Sequence, residues 1–211
     1  MADALVDDGY LAAGYDGVHI DDCWEAATRA EDGTLGYNST RFPSGISSLA
    51  AAIHSKGAKL GLYSDVGTNT CGGYPGSEGH AAADAALFAA WGVDYLKYDG
   101  CYSGRAGWDA GYPVMGAALQ KTGRDVVYSC SWPAYLGDDE NRKPYARMTA
   151  AGCNLWRNWD DIDNSWSSVA TIIAHYGEYS HHLASVAGPG LGWNDMDMIL
   201  AGDDHYGVVL P

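Results

Sequence analysis

Short apolar or β-branched stretches alternate with segments of helical periodicity along the whole chain, on the length scale of one strand–helix unit. Strand candidates begin near Gly17 (GVHIDD), Lys59 (KLGLYSD), Tyr95 (YLKYDG), Val126 (VVYSCS), Asn154 (NLWRN) and Ser185 (SVAG). Successive starts are 42, 36, 31, 28 and 31 residues apart, room each time for a strand, a turn and a helix. The helices between them are marked by their stops. Leu49 and Ile53 precede Gly57; Leu87, Phe88 and Trp91 precede Gly92; Met115 and Leu119 precede Gly123. Each glycine stands where a helix can end in a left-handed residue. Ser165 caps a further helix that carries Val169, Ile172 and Ile173. Ala2, Leu5, Val6 and Tyr10 recur at helical spacing, so the chain opens in an amphipathic helix rather than in the basic start and apolar core of a signal peptide. The segment from Gly188 to Gly192 reads as a tight turn after the last strand candidate.

Repeated strand–helix units imply a parallel sheet, either open or closed into a barrel. The acids favour closure. Asp21-Asp22, Asp65, Asp99, Ser131 and Asp160-Asp161 end successive strand candidates, and Asp195 and Asp197 follow the last one. A barrel gathers all these ends on one face, whereas an open sheet concentrates its site at one switch point. Carboxylates brought together repel unless cations, hydrogen bonds or a substrate compensate them, which points to use. The expected fold is therefore α/β, a (β/α)8 TIM barrel, with residues 1–211 as one partial catalytic domain. Six strand candidates against the eight of a complete barrel make it read as truncated.

Composition narrows the function. With 47% hydrophobic and 18% charged residues, the 211-residue chain is neither a disordered segment nor a coiled coil. Twelve basic against 27 acidic residues give a net charge of −15, which argues against nucleic-acid binding and against attachment to anionic membranes. No apolar run approaches the roughly 20 residues of a spanning helix. Eight Trp and 15 Tyr stand against two Phe, a bias that suits either a wet, sugar-stacking cleft or interior packing. There is no GxSxG, HExxH or P-loop, and the Asp160–Asn164 run lacks the central Gly and closing Glu of a calcium loop. His181-His182 and Asp203-Asp204-His205 read as solvated surface. The five cysteines form no CxxC pair and no zinc spacing, and their odd number leaves one without a partner in the chain, the pairing of the rest being open. No metal and no cofactor is expected.

Paired Asp residues with aromatic neighbours fit glycoside hydrolysis, in which one carboxylate attacks or stabilises the anomeric carbon and a second, protonated, serves the leaving oxygen. Lys97 shares a strand face with Asp99 by the period of two. It would either favour an ionised nucleophile or form a structural ion pair. Arg157, four residues before Asp161, is close enough to hold a sugar hydroxyl or another acid.

The stretches Ile20-Asp21-Asp22-Cys23-Trp24, Lys59 to Asp65, Tyr95 to Cys101 and Trp156 to Ile162 resemble the family 27 glycoside hydrolases, which include α-galactosidases and α-N-acetylgalactosaminidases. Arg41-Phe42-Pro43-Ser44-Gly45 and Trp193-Asn194-Asp195 fit the same family, so the resemblance runs from Met1 to about Gly202. It implies a retaining mechanism with Asp99 as nucleophile and Asp161 as general acid/base. Asp21, Asp22, Tyr63, Lys97, Arg157 and Asp197 match residues that hold the sugar hydroxyls, and Cys71 and Tyr135 match pocket positions. The resemblance also implies disulfides Cys71–Cys101 and Cys130–Cys153, with Cys23 pairing upstream of the chain. The disulfides and the Asn38-Ser39-Thr40 sequon suit a lysosomal or secreted route.

Substrate choice is expected in the loop Ser129 to Tyr135. The α-galactosidases resemble it but carry a large acid where Ser131 stands and a bulkier apolar residue where Ala134 stands. Ser131 and Ala134 leave space for a 2-acetamido group, so the loop resembles the α-N-acetylgalactosaminidase form, while the smaller sugar is still accepted because a void costs less than a clash. The expected substrate is a small carbohydrate or glycoconjugate, and a homodimer is among the states the resemblance allows. Leu191 and Met196 depart from the family beside Asp197, and the family's first and last strands and C-terminal β-sandwich have no counterpart here. A strict α-galactosidase and a non-catalytic remnant are the alternatives.

Overall fold

The structure, a computed structural model, describes residues 2–163 and 165–196. The chain divides into two compact units, Met1–Ser129 and Cys130–Pro211. The first runs α1 (Ala2–Asp7), β1 (Gly17–Ile20), α2 (Ile46–His54), β2 (Lys59–Asp65), α3 (Ala81–Trp91), β3 (Tyr95–Asp99), α4 (Arg105–Lys121) and β4 (Val127–Cys130), whose last residue opens the second unit. β1, β2, β3 and β4 are neighbours in that order. β1 with β2 and β2 with β3 pair in parallel, Leu62 standing opposite both Ile20 and Leu96, and Asp65 opposite Asp99. After Lys59, β2 is buried at every residue, as a parallel strand covered on both faces must be.

Helical spacing explains what covers it. α2 turns Ile46, Ala50 and Ile53 inward, and α3 does the same with Ala81, Ala85 and Phe88. Gly92 ends α3 at φ 83°, the left-handed conformation that a side chain would resist. Trp24 is fully buried, meets Phe88 and Trp91 edge-on, and donates its Nε1–H to the Tyr63 carbonyl at 2.9 Å. For Trp24, Trp132 and Trp156, all buried, interior packing is the correct reading of the aromatic bias.

The second unit contains 3-10 turns at Trp132–Leu136 and Glu140–Arg142, α5 (Tyr145–Ala150), β5 (Leu155–Arg157), α6 (Trp166–Glu178), α7 (Ser180–Val186) and β6 (Trp193–Asp195). β5 and β6 are parallel, with Arg157 opposite Asp195. Ser165 Oγ accepts the Ser168 N–H at 3.1 Å and caps α6 as expected. Two expectations fail here. The Ser185 segment is the end of α7, in which buried Leu183 packs inward; the strand is Trp193–Asp195. The glycine segment accordingly precedes its strand instead of following one, closed by a bridge between Gly188 and Gly192. At the N-terminus the helix stops at Asp7, before Tyr10, and buries no residue.

Glu25 is the anomaly of the first unit's core. It is 0% exposed and neither carboxyl oxygen has a hydrogen-bond partner. Burial pushes its carboxyl up to about 8, against the opposing pull of nearby backbone N–H groups. A proton bound more tightly in the folded than in the unfolded state contributes stability that is complete below about pH 4 and is lost as pH rises through about 8. In urea titrations between pH 5 and pH 9, wild-type stability should therefore fall more steeply than that of Glu25→Gln, the slopes diverging by on the order of 3 kcal/mol over the range. Parallel slopes would show that Glu25 is ionised and compensated.

Candidate active site

In the first unit, candidate residues come from the carboxyl ends of β1, β2 and β3. Lys97 Nζ pairs with Asp21 Oδ2 at 2.7 Å and lies 5.0 Å over the Tyr63 ring. The period of two along β3 points to Asp99 as the ion-pair partner of Lys97, whereas the structure pairs Lys97 with Asp21, 76 residues away in the chain, a contact across strands that the period does not reveal. Asp22 accepts the Gly72 N–H at 2.6 Å and the Cys23 N–H at 2.6 Å. Asp99 is 6% exposed; its Oδ1 accepts the Gly100 N–H at 2.9 Å and its Oδ2 lies 3.3 Å from the Tyr63 hydroxyl. That hydroxyl is also 3.2 Å from Cys71 Sγ, and burial, reinforced by Asp99 and Asp65, pushes its pKa far up. Tyr63 is therefore a donor at any working pH.

The loops after these strands are tightly constrained. Cys71 and Cys101 form a disulfide that ties the β2 loop to the residue two beyond Asp99. Gly67 packs so closely on that turn that a Cβ would lie 2.0 Å from the Cys101 carbonyl oxygen. Among the described residues, the non-glycine positions with left-handed backbone are Cys23 at φ 72° and Tyr102 at φ 46°. They follow β1 and β3, and such strain collects where a loop is over-determined. Asp65, Cys71 and Cys101 lie within ligand distance of one another, but the two sulfurs are joined and offer no thiolate. Cys23 has no disulfide partner among the described residues.

In the second unit, Cys130 and Cys153 form the other disulfide. Ser131, buried, precedes the turn Trp132–Leu136, and its carbonyl accepts the Ala134 N–H at 3.1 Å. Ala134 and Tyr135 are half-buried on that turn. Arg157 at the end of β5 pairs with Asp161 at 2.5 Å, and the Asp161 carboxyl is 75% exposed. Asp197 and the Asp203-Asp204-His205 run lie outside the described residues.

Sequence patterning does not reveal a buried polar network behind β5. Glu140 accepts from Lys143 Nζ at 2.8 Å, pairs with His175 Nε2 at 2.7 Å and accepts from the Tyr145 hydroxyl at 2.5 Å. Lys143 also donates to the Asn158 carbonyl, and Asn158 Nδ2 donates to the Tyr145 hydroxyl and to Asn194 Oδ1. Burial holds the Lys143 pKa below its usual value, with Glu140 opposing. His175 stacks on Trp159 at 4.1 Å. The one sequence signal is the helical spacing that turns His175 inward three residues after Ile172.

The family model for alpha galactosidase A matches residues 1–209. The chain is 48% identical to alpha-N-acetylgalactosaminidase of Gallus gallus over 206 residues, 96% of this chain and 50% of that protein. It is 47% identical to alpha-galactosidase A of Homo sapiens over 204 residues, 96% of this chain and 47% of that protein. Among solved structures, alpha-galactosidase I from Mortierella vinacea superposes with a TM-score of 0.81 at 34% identity, covering 93% of this chain and 53% of the other. The chain thus spans about half the length of the curated relatives it matches. The α/β parallel-strand fold is that of the barrel glycosidases.

Gly67→Ala should destabilise the protein by about 1–3 kcal/mol, because the added methyl meets rigid backbone rather than a movable side chain. Gly177→Ala in α6, where a Cβ meets nothing within 4 Å, should instead stabilise by up to about 1 kcal/mol. Urea unfolding of both variants checks the contrast; equal effects would refute the close approach at Gly67.

Proposed function

The chain belongs to the alpha galactosidase A family of glycoside hydrolases, and on that premise we propose that it carries the catalytic residues of a retaining exo-α-glycosidase. The proposed substrates are terminal α-linked N-acetylgalactosamine and, as a smaller ligand of the same pocket, α-galactose. The observation that carries the reading is the setting of Asp99: a nearly buried carboxyl at a strand end, beside a tyrosine hydroxyl and a Lys97–Asp21 pair.

In the proposed reaction the Asp99 carboxylate forms an ester bond to the anomeric carbon as the glycosidic C–O bond breaks. Asp161 gives its proton to the departing oxygen. Asp161 then takes a proton from water, whose oxygen attacks the anomeric carbon and releases Asp99, so that two inversions give retention. Asp21, Asp22, Tyr63, Lys97, Arg157 and Asp197 hold the sugar hydroxyls, with Lys97 and Arg157 as charged donors and the Asp residues as acceptors. Ser131 and Ala134 accommodate the 2-acetamido group, and Cys71 and Tyr135 line the pocket. Identities of 48% and 47% to the two relatives do not separate the activities, so the specificity reading rests on this loop. The two disulfides support an oxidising compartment, lysosomal or secreted.

Aryl α-N-acetylgalactosaminide should turn over faster than aryl α-galactoside at mildly acidic pH. Asp99→Asn should cost at least about a thousandfold in kcat. Ser131→Glu combined with Ala134→Leu should invert the preference. A folded protein that hydrolyses neither sugar would overturn the reading, whereas a galactose preference in the wild type would overturn only the loop assignment.

A further inference from the structure

Asp65 has no role in the reaction proposed above, yet it stands beside the proposed nucleophile. The parallel register sets it opposite Asp99 on the neighbouring strand. It is 0% exposed. Its Oδ1 accepts the Gly67 N–H at 2.7 Å and its Oδ2 accepts the Cys101 N–H at 2.9 Å. The same Oδ2 lies 3.5 Å from the Tyr63 hydroxyl oxygen, which in turn lies 3.3 Å from Asp99 Oδ2. One phenol therefore stands between two carboxyl groups with a single hydrogen to give.

We propose that Asp65 is a positioning residue for Asp99: by donating its own carboxyl proton to the Tyr63 oxygen it directs the Tyr63 hydrogen toward Asp99, while its second contact fixes the Gly100–Cys101 turn. The proposal rests on the reading of Asp99 as nucleophile. A neutral carboxyl is at once a donor and an acceptor, so it can keep the Cys101 N–H while it gives its proton to Tyr63. An ionised Asp65 would compete with Asp99 for the phenol hydrogen and add a second negative charge beside it. The surrounding groups favour the neutral form. Facing Asp65 are the Tyr63 hydroxyl on its own strand, Asp99 and Tyr98 on β3, and Asp22 beyond β1, together with the Cys71–Cys101 disulfide, which does not titrate. Burial first, with the Asp99 charge adding to it, pushes Asp65 up to about 8.

The test compares wild type, Asp65→Asn, Tyr63→Phe and the double variant from pH 4 to pH 9 on one aryl glycoside. Asp65→Asn should lower kcat about tenfold or more, the scale of one hydrogen bond to a charged group, with KM within about twofold. The wild-type kcat should fall through an inflection near 8, and that inflection should vanish in both single variants. The double variant should be no slower than the slower single one, because both act through the same hydroxyl. Additive losses, a rise in KM alone, or an unchanged alkaline limb would overturn the proposal. Should Asp65→Asn fail to fold, loss of the inflection in Tyr63→Phe decides, since that change removes one oxygen only. If the wild type hydrolyses no glycoside, the proposed function fails by itself. Infrared spectra at pH 6 then judge Asp65. A protonated-carboxyl band that shifts in Tyr63→Phe sustains the contact, and its absence or indifference to Tyr63 refutes it.

Discussion

Two carboxyl groups face each other at the buried ends of β2 and β3, and the first unit is organised around that conflict. The parallel register sets Asp65 beside Asp99, and burying both without compensation would be prohibitive. Backbone N–H groups contribute to the compensation: Gly67 and Cys101 serve Asp65, and Gly100 serves Asp99, beside the Tyr63 hydroxyl. Those donors exist only while the loops after the strands keep one conformation. The disulfide between Cys71 and Cys101, the close approach at Gly67 and the left-handed turn at Tyr102 are consequences of that demand. The loop geometry follows from the acids, as much as the acids from the loops.

The second unit meets a related problem by the opposite means. Lys143, Glu140 and His175 are buried together, and each satisfies another. Such a network contributes little net stability over a well-packed apolar core, yet removing Glu140 or Lys143 leaves the other's buried charge without its ion-pair partner. Its structural effect is to define one arrangement. Asn158 receives Lys143 at its carbonyl and spans to Tyr145 and Asn194 through its amide. It lies between Arg157, which pairs with Asp161, and Trp159, which stacks on His175.

What the sequence makes legible here is whatever is local. β2 and β3 are short runs rich in Leu and Tyr closed by Asp, and α3 ends at a glycine that a left-handed cap favours. The Ser185 segment misleads because its few small apolar residues fit a helix or a strand equally well, and only the burial of Leu183 decides between them. Long-range pairing is the other blind spot. The period of two places Lys97 on the right face of β3, but its partner Asp21 comes from β1. Glu140, Lys143, His175 and Glu25 look like surface residues in any composition-based reading, since charged side chains are rarely buried without a partner. Glu140 meets both a neighbour in sequence, Lys143, and a distant partner, His175, while the Glu25 carboxyl oxygens have no hydrogen-bond partner. The disulfides are not deducible from spacing and enter through the family resemblance alone.

Substrate specificity follows a different logic from the rest, because it is one-sided. On the proposed reading, a pocket lined by Ser131 and Ala134 would admit the acetamido sugar by removing bulk, and removing bulk excludes nothing smaller. A pocket that carries a large acid at the first position both accepts the 2-hydroxyl and excludes the acetamido group, so it discriminates in both senses. On the proposed reading, this chain belongs to the permissive side of that asymmetry. Its preference then rests on what the acetamido group itself touches, a few weak interactions on a turn held by the Ser131 carbonyl and the Cys130–Cys153 disulfide.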